Sequence, residues 1–391
     1  MSDRRARRQS AIDNDKRILD AAVEIADAVG LDRLTVSAVA KTAGFTSGAV
    51  YARYGNREEL LVALWEHRAA EHLESVIRQV GTFRRRGATD SYRTAIIDAV
   101  APPSPGLRIA IETCLIAHRI DELHEIVPRT VREWLVDLGL DRVPLSPDEA
   151  VDLAAIAGVV GSIALSPLPG RLGADLDASV QWISAPAQPP LGDPLPPTDT
   201  AQQLVIEPDD PIRNDLLVAA QSVIARSGVH RTTLARIGRL ARLAPATLYS
   251  RYHNRDELIA DILRRSQVSN SQTKHRLDYL AGDAQMSAAL HAFLQPEALV
   301  RRRMHCETIV AAWHTPAIAD VYCSVEQQAM DDVARHFPPG LIDAERLMEI
   351  QRISLMAIHG SAILLEVLPE IAHLDWRPAS ALLLTGALQD A

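Results

Sequence analysis

The chain has 391 residues, of which 47% are hydrophobic, and a formal net charge of −9. The longest apolar stretch, Leu153 to Leu165, is too short to span a bilayer, and the polar start MSDRRARRQS does not resemble a signal peptide. The three cysteines form no CxxC pair, which argues against a disulfide framework or a zinc site. Together these features predict a cytoplasmic, helical protein with no membrane partner.

The first predicted element is a helix near Asp15 to Val29, where apolar residues recur at helical spacing. It ends at Gly30, because glycine tolerates the left-handed conformation common just past a helix end. Four arginines lie between positions 4 and 8. They form either an arm that enters a DNA minor groove or a tail without a role.

Two short helices follow. The second helix begins at Thr35 and ends near Gly44, and the third covers Ser47 to Tyr54, because Thr35 and Thr46 stand where a hydroxyl caps a helix start. The third helix is short and carries small outward residues, so it fits a groove about 12 Å wide. Two helices joined by a tight turn are typical of a helix-turn-helix.

The stretch Thr35 to Leu60 recurs as Thr233 to Leu258 after a constant offset of 198 positions. A repeat separated by about 200 residues indicates two complete domains in tandem, since solenoid repeats have periods of roughly 20 to 50 residues. The identical pairs are Thr35/Thr233, Ala43/Ala241, Tyr51/Tyr249, Arg53/Arg251, Tyr54/Tyr252, Asn56/Asn254, Arg57/Arg255, Glu59/Glu257 and Leu60/Leu258.

Charge is distributed unevenly along the chain. Residues 1–57 carry a net charge of +3 and residues 209–255 a net charge of +5, which leaves −17 on all other residues. Each repeat therefore has a basic head and an acidic body. Because salt screens charges beyond about 8 to 10 Å, the heads can bind DNA although the whole chain is acidic. Charge alone is equally consistent with a solvated surface that has no partner.

Eight prolines between residues 184 and 211 predict a linker, because proline removes backbone donors and prevents a packed helix. The two bodies also share short matches: Glu112-Thr113 with Glu307-Thr308, and Gly161-Ser162 with Gly360-Ser361. The expected domains are a first head (1–57), a first body (58–183), the linker (184–211), a second head (212–255) and a second body (256–391).

The run AGFTSGAVYARYGNREELL resembles the signature of the TetR family of bacterial one-component repressors, and the second repeat resembles it less closely. The resemblance covers roughly 45 residues in each repeat. It implies an all-α fold of two tandem units, each with a three-helix helix-turn-helix head and a helical ligand-binding and dimerisation body. It also implies a repressor that binds an operator in double-stranded DNA and a small-molecule effector, with no cofactor and no enzymatic activity.

The resemblance assigns DNA contacts to residues in both heads. The phosphate-binding positions are occupied by Thr35, Tyr51, Arg57, Thr233, Tyr249 and Arg255. The base-reading positions, together with the glycine that allows close approach, are occupied by Thr46, Ser47, Gly48, Ala49, Arg53, Pro245, Ala246, Thr247 and Arg251. Tyr51 and Tyr249 have the alternative role of core tyrosines, and core packing is the expected role of Tyr54 and Tyr252.

The second head departs from the family pattern in its turn. Arg242 stands where the family has a glycine, so we expect a non-glycine residue to adopt a positive φ. Ala244 has no side-chain acceptor with which to cap the third helix. Arg236 and Arg239 nevertheless make this head more basic than the first.

The family also implies an effector pocket in the bodies. Candidate lining residues, each of which is alternatively an ordinary core residue, are Trp65, Cys114, His118, Trp134, Met304, Cys306, Trp313 and Tyr322. His118 and His124 are six residues apart, which does not place both on one helical face, so the sequence predicts no metal site.

The late apolar helices near Ala150 to Leu165 and Ile350 to Leu365 carry small residues that permit close helix approach. We therefore expect the two halves of one chain to pair as an intrachain pseudo-dimer, with homodimerisation as the alternative. Two other function classes were weighed. An enzyme lacks support because no Gly-rich phosphate loop, GxSxG elbow or HExxH helix is present. A protein-binding module would need heads that have lost DNA affinity.

Overall fold

A computed structural model describes residues 2–86, 90–141, 145–168, 172, 179, 210–276, 290, 292–336, 343–373 and 375–381. The described residues are helical and contain no β-strand, which confirms the predicted all-α fold. None of the helices in these ranges is long and apolar enough to cross a membrane. The predicted linker lies outside the described residues, apart from positions 210 and 211.

The helices of the two halves are numbered in chain order. The first half contains α1 (Ser2–Val29), α2 (Val36–Ala43), α3 (Ser47–Tyr54), α4 (Arg57–Leu64), α5 (Ala70–Arg86), α6 (Asp90–Val100), α7 (Pro105–Ile116), α8 (Asp121–Asp137) and α9 (Pro147–Leu165). The second half contains α10 (Pro211–Ser227), α11 (Leu234–Leu240), α12 (Pro245–Tyr249), α13 (Arg255–Arg276), α14 (Leu299–His314), α15 (Pro316–His336) and α16 (Ala344–Leu365).

Helix α1 begins at Ser2, well before the start predicted near Asp15. The added turns are rich in arginine and alanine, both good helix formers. Gln9 donates to Asp13 at 3.0 Å, a contact four residues apart that supports a helix. The four arginines between positions 4 and 8 therefore belong to a helix rather than to an irregular arm.

The first head is connected to its body without a loop. Helix α4 continues through a π-helical turn, Trp65–Ala69, directly into α5. Trp65 is buried, with its ring centroid 6.1 Å from that of Trp134 on α8. Single π-helical turns often occur at functional positions of helices. The first head and its body therefore share one continuous helix.

The two halves pack against each other where α9 crosses α16. A β-carbon built on Gly161 would lie 1.9 Å from the carbonyl oxygen of Met356, and one built on Gly360 would lie 1.6 Å from that of Ala157. Only glycine permits such close backbone approach. This confirms the expectation that small residues allow the late helices to meet closely.

A second junction joins the heads to the bodies. Arg119, just before α8, contacts Asp32 of the first head at 3.2 Å and Glu307 of the second body at 3.1 Å. Asp32 also lies 4.0 Å from Arg231 of the second head. The loops after the first helix of each head therefore meet at one charge cluster, in which Asp32, Arg119 and Glu307 are largely buried and Arg231 is half exposed.

Candidate nucleic-acid interface

The recognition helix of the first head, α3, has the bounds predicted from the sequence. The Thr46 hydroxyl accepts from the Ala49 amide at 3.2 Å and so caps the helix. Val50 and Tyr54 are buried beneath the helix, whereas Tyr51 is 50% exposed. Helix α3 therefore has a small-residue outer face beside an exposed phenol.

The other predicted contact residues of α3 are also accessible. Gly48 and Ala49 are exposed and Ser47 is half-buried. Thr35 is exposed at the start of α2, and its hydroxyl accepts from Ala38 at 3.2 Å. A hydroxyl that accepts within the helix cap keeps its own proton for donation to a phosphate oxygen.

The recognition helix of the second head, α12, has five residues where α3 has eight. Arg242 adopts φ 56°, which confirms the positive φ expected where the first head has Gly44. Ala244 makes no side-chain cap, also as expected. The two recognition helices begin at equivalent positions, Ser47 and Pro245, so α12 is shorter at its C-terminal end.

The exposed surface of the second head still resembles that of the first. Tyr249 is 56% exposed, and Pro245 and Ala246 are exposed, while Thr247 is half-buried. Thr233 caps α11 by accepting from the Arg236 amide at 3.2 Å. Both heads thus present an exposed tyrosine and a capped second helix on one surface.

Tyr54 and Tyr252 are buried, as predicted for core residues. The Tyr252 hydroxyl donates to Asp261 at 2.5 Å, and Arg213 on α10 donates to the same carboxylate at 2.8 Å. Burial, together with the hydrogen bond to Asp261, raises the pKa of Tyr252. These contacts join the segment that follows α12 to α10 and α13.

The two arginines predicted to read bases are paired within their own heads. Arg53 forms an ion pair with Asp15 on α1, and Arg251 pairs with Asp210 at 2.5 Å. The hydrogen bond from Arg53 to Asp15 raises the pKa of the guanidinium. Their base-reading role remains a prediction that requires these side chains to leave, or to share, their carboxylate partners.

Arg57 and Arg255 open the fourth helix of their heads and point inward. Arg57 donates to the backbone carbonyls of Leu34 at 2.9 Å and Leu31 at 2.7 Å. Arg255 donates to the matching carbonyl of Val229 at 3.3 Å. Sequence reasoning missed this contact, which fixes the loop after the first helix. The phosphate contacts predicted for both arginines remain untested.

Comparison with known proteins identifies these heads. The family described as bacterial regulatory proteins, tetR family, matches residues 18–64 and again residues 216–262. The chain carries two tandem tetR-family DNA-binding domains. Among curated proteins, the chain is 34% identical over 81 residues to the fatty acid metabolism regulator protein of Bacillus subtilis (strain 168). That match covers 21% of this chain and 40% of the relative.

Among solved structures, Salmonella enterica GusR matches with 20% sequence identity and a TM-score of 0.38. The alignment covers 48% of this chain and all of the GusR chain.

The residues predicted to line an effector pocket occupy two kinds of position in the two bodies. One group is buried in the cores of the two bodies: Trp65, Cys114, Trp134, Met304, Cys306 and Tyr322. The other group lies between the halves. The ring nitrogen Nε2 of His118 lies 3.3 Å from the Ala225 carbonyl oxygen, and the Trp313 indole donates to that of Ala164 at 2.8 Å. His118 follows Glu112 by six residues, as Trp313 follows Glu307, so the two side chains occupy equivalent positions in the repeat. Their partners differ, since Ala225 lies on α10 and Ala164 on α9.

An open, polar cleft of about 310 Å³ lies where the first body meets both heads. It is bordered by Asp32, Arg57, Glu58, Ile116, Arg119, Ile120, Asp121, Glu122 and Arg231. None of its lining residues except Arg57 was singled out from the sequence. No local motif identifies this cleft, because residues distant in the chain form it.

Proposed function

We propose that this DNA-binding regulator is a ligand-responsive repressor whose two heads read an operator as an intrachain pseudo-dimer. The observation that carries the proposal is the backbone-to-backbone crossing of α9 and α16 at Gly161 and Gly360 within one chain. DNA readers with two heads bind two half-sites, whose spacing is set by the distance between the heads. Here one chain supplies both heads.

The charge cluster between the head loops supports a defined head spacing. Arg119 comes from the first body but reaches Asp32 in the first head and Glu307 in the second body. Its side chain is 9% exposed and that of Glu307 is 5% exposed, so water screens this interaction only weakly. A contact shared by both halves holds the heads relative to each other.

The same geometry supports ligand response. The open cleft is lined by residues of both heads, Asp32 and Arg231 among them, and of the first body. A small polar molecule bound there would contact groups whose separation changes if the heads move. A ligand shifts an equilibrium between two head arrangements only by its differential affinity for them, and such a cleft supplies that difference.

The proposal keeps the domain limits expected from the sequence: heads at 1–57 and 212–255, bodies at 58–183 and 256–391, and a linker at 184–211. The continuous helix from α4 into α5 supports treating each head and its body as one mechanical unit. The two recognition helices differ in sequence, so the proposed operator consists of two unlike half-sites.

Light scattering and footprinting test the proposal together. The purified chain is expected to be a monomer and to protect two unlike half-sites in the DNA beside its own gene. Ala49→Asp and Ala246→Asp place an acid on the exposed face of α3 or α12. Each is expected to reduce DNA affinity at least about tenfold, because a like charge opposite phosphate costs several kcal/mol.

Ala49→Ser and Ala246→Ser are the matched controls, since a hydroxyl adds little volume and no charge. The short α12 and the strained Arg242 favour one alternative, in which the second head does not bind DNA and chains homodimerise. A palindromic footprint that needs two chains, together with an Ala246→Asp variant of unchanged affinity, would establish that alternative instead.

A further inference from the structure

A polar cluster is enclosed in the second body, away from both recognition helices. It consists of His305 on α14, Tyr322 and Glu326 on α15, and His359 on α16. The Nε2 atoms of the two histidines lie 2.7 Å apart, and Glu326 Oε1 lies 3.3 Å from Nε2 of His305. We propose that His305, Glu326 and His359 bind a divalent first-row transition cation such as Zn²⁺.

The polar atoms of this cluster lie within hydrogen-bonding distance of one another and converge on Nε2 of His359. Nδ1 of His359 lies 2.6 Å from the Leu355 carbonyl oxygen and donates to it, so the Nε2 atom of the neutral ring has a single lone pair. Two groups compete for that lone pair at 2.7 Å, the Tyr322 hydroxyl and the Nε2 atom of His305. Without an ion, the Tyr322 hydroxyl can accept from Nε2 of His305 at 3.0 Å and donate to His359. A bound cation would instead take the Nε2 lone pairs of both histidines.

The first body shows that the fold does not require these histidines. His305 precedes Glu307 by two residues, and the residue two before the matching Glu112 is Ala110. His359 precedes Gly360 by one residue, and the residue before the matching Gly161 is Val160. Ala110 and Val160 are both completely buried. The second body therefore has buried imidazoles where the first body has aliphatic side chains. Burying a polar group costs free energy, and the packing of the fold does not require it here.

The donor set suits zinc-like cations. Two imidazoles and one carboxylate leave a fourth position open, which a water molecule or the Tyr322 phenol can fill. The hydrogen bond from His359 to Leu355 is the outer contact that orients a ligating imidazole. Tetrahedral coordination requires the two Nε2 atoms to separate from 2.7 Å to about 3.3 Å, a small rotation of two side chains.

An ion can reach the cluster from solvent. The side chains of His305 and Glu326 are 13% and 10% exposed, whereas His359 and Tyr322 are buried. The cluster therefore opens to water along one side. Its inner wall is formed by the α16 helix, which crosses α9.

The position of the ligands gives the ion a regulatory role. His359 adjoins Gly360 at the crossing of the halves, and His305 lies two residues from Glu307, which pairs with Arg119. A bound cation ties α14, α15 and α16 together beside both junctions and thereby sets the spacing of the heads. This regulatory part rests on the proposed repressor function, whereas cation binding does not.

To test the site, the full chain is first stripped of metal with a chelator. It is then titrated with ZnCl₂ in a calorimeter and, separately, with Co²⁺, whose visible absorption reports its coordination. We expect one Zn²⁺ per chain and a tetrahedral Co²⁺ spectrum. His305→Ala combined with His359→Val, which copies the first body, and Glu326→Gln by itself are each expected to weaken Zn²⁺ binding at least about 100-fold. His124→Ala, which removes an exposed histidine, is the matched control and should bind Zn²⁺ normally.

Helical circular dichroism of each variant establishes that it folds. No stoichiometric Zn²⁺ binding, or equal affinity in the folded double variant and the native chain, would overturn the site. If the chain binds one Zn²⁺ but its affinity for the operator is the same with Zn²⁺ as with a chelator, only the regulatory part is overturned. A chain that binds Zn²⁺ but no DNA under either condition supports the metal site and contradicts the proposed repressor.

Discussion

Gly161 and Gly360 face each other across the junction of the two halves, with main-chain atoms filling the space where each β-carbon would stand. Their neighbours are backbone carbonyls of the opposite helix, which cannot rotate away as a side chain can. Each glycine is therefore required by its partner helix rather than by its own backbone conformation.

Gly360→Ala is expected to destabilise the protein by about 3 kcal/mol or more, because overpacking against main chain is relieved only by moving a helix. Urea unfolding measures the loss. Gly48→Ala is the control: a β-carbon there meets nothing nearer than the Thr46 hydroxyl at 4.0 Å, and alanine favours the helix by about 0.5–1 kcal/mol. Equal unfolding midpoints for the native protein and Gly360→Ala would contradict the crossing.

Arg119→Met leaves the buried Glu307 carboxylate without its cation. Burial raises the pKa of Glu307 to about 8, so this carboxyl is charged mainly above that pH. At pH 9, removing one partner of the buried ion pair is expected to cost about 3–5 kcal/mol, because the remaining charge stays desolvated. Adding Glu307→Gln should restore part of this loss. A double-mutant cycle in urea measures the coupling, and strictly additive effects of the two substitutions would show that the pair does not interact.

Glu112 predicts a pH dependence of stability. Burial raises its pKa to about 8, although its carboxylate accepts from the Leu31 amide at 2.7 Å. Its ordinary pKa is about 4.3, so as the pH rises from about 4 to 8 the unfolded chain loses a proton that the folded chain retains. The stabilisation is complete below about pH 4 and disappears as the pH passes 8.

Glu112→Gln keeps the acceptor oxygen but does not titrate. The native protein is therefore expected to lose stability relative to this variant between pH 5.5 and 8.5, as measured by urea unfolding at several pH values. Parallel stability curves for the two proteins would show that Glu112 does not keep its proton in the folded state.

The exposed tyrosines test the DNA-facing surface. Tyr51→Phe and Tyr249→Phe each remove one hydroxyl, and we expect about a fivefold loss of operator affinity, which corresponds to about 1 kcal/mol. The salt dependence should remain unchanged, because no charge is removed. Tyr54→Phe, at a buried position on the same helix as Tyr51, should bind like the native protein in a gel-shift titration. A similar loss for Tyr54→Phe would point to altered packing instead.

Arg242→Gly is expected to stabilise the second head by about 1 kcal/mol, because φ 56° suits glycine better than arginine. Gly44→Ala, at φ 74° in the first head, should lose a similar amount. Hydrogen exchange of the α11 and α2 amides reports each head separately. If the α11 amides exchanged faster in Arg242→Gly than in the native chain, the positive φ of Arg242 would not be a source of strain.

The sequence predicted the features that depend on local chemistry. Helix caps and positive φ angles depend only on neighbouring residues, so they can be recognised in the sequence alone. Examples are the caps at Thr35, Thr46 and Thr233 and the positive φ of Arg242. The close packing of α9 and α16 was also predicted, because Gly161 and Gly360 interrupt long apolar helices.

Contacts between distant elements could not be predicted in this way. Arg57 matched a phosphate-contact position, but its donors bind loop carbonyls more than twenty residues away. His305, Glu326 and His359 lie on three helices and form no spaced motif. Only the packing of α14, α15 and α16 brings them together, and helix packing is not encoded in residue spacing.

The α9–α16 contact also affects how the protein responds to its own abundance. Separate subunits must meet at the protein concentration of the cell, whereas two surfaces on one chain meet at an effective concentration fixed by the connecting segment, in the millimolar range for short flexible linkers. Dilution to a few molecules therefore does not separate these halves. In a homodimer one substitution changes both heads, whereas here it changes only the head that carries it. The two heads can therefore evolve independently.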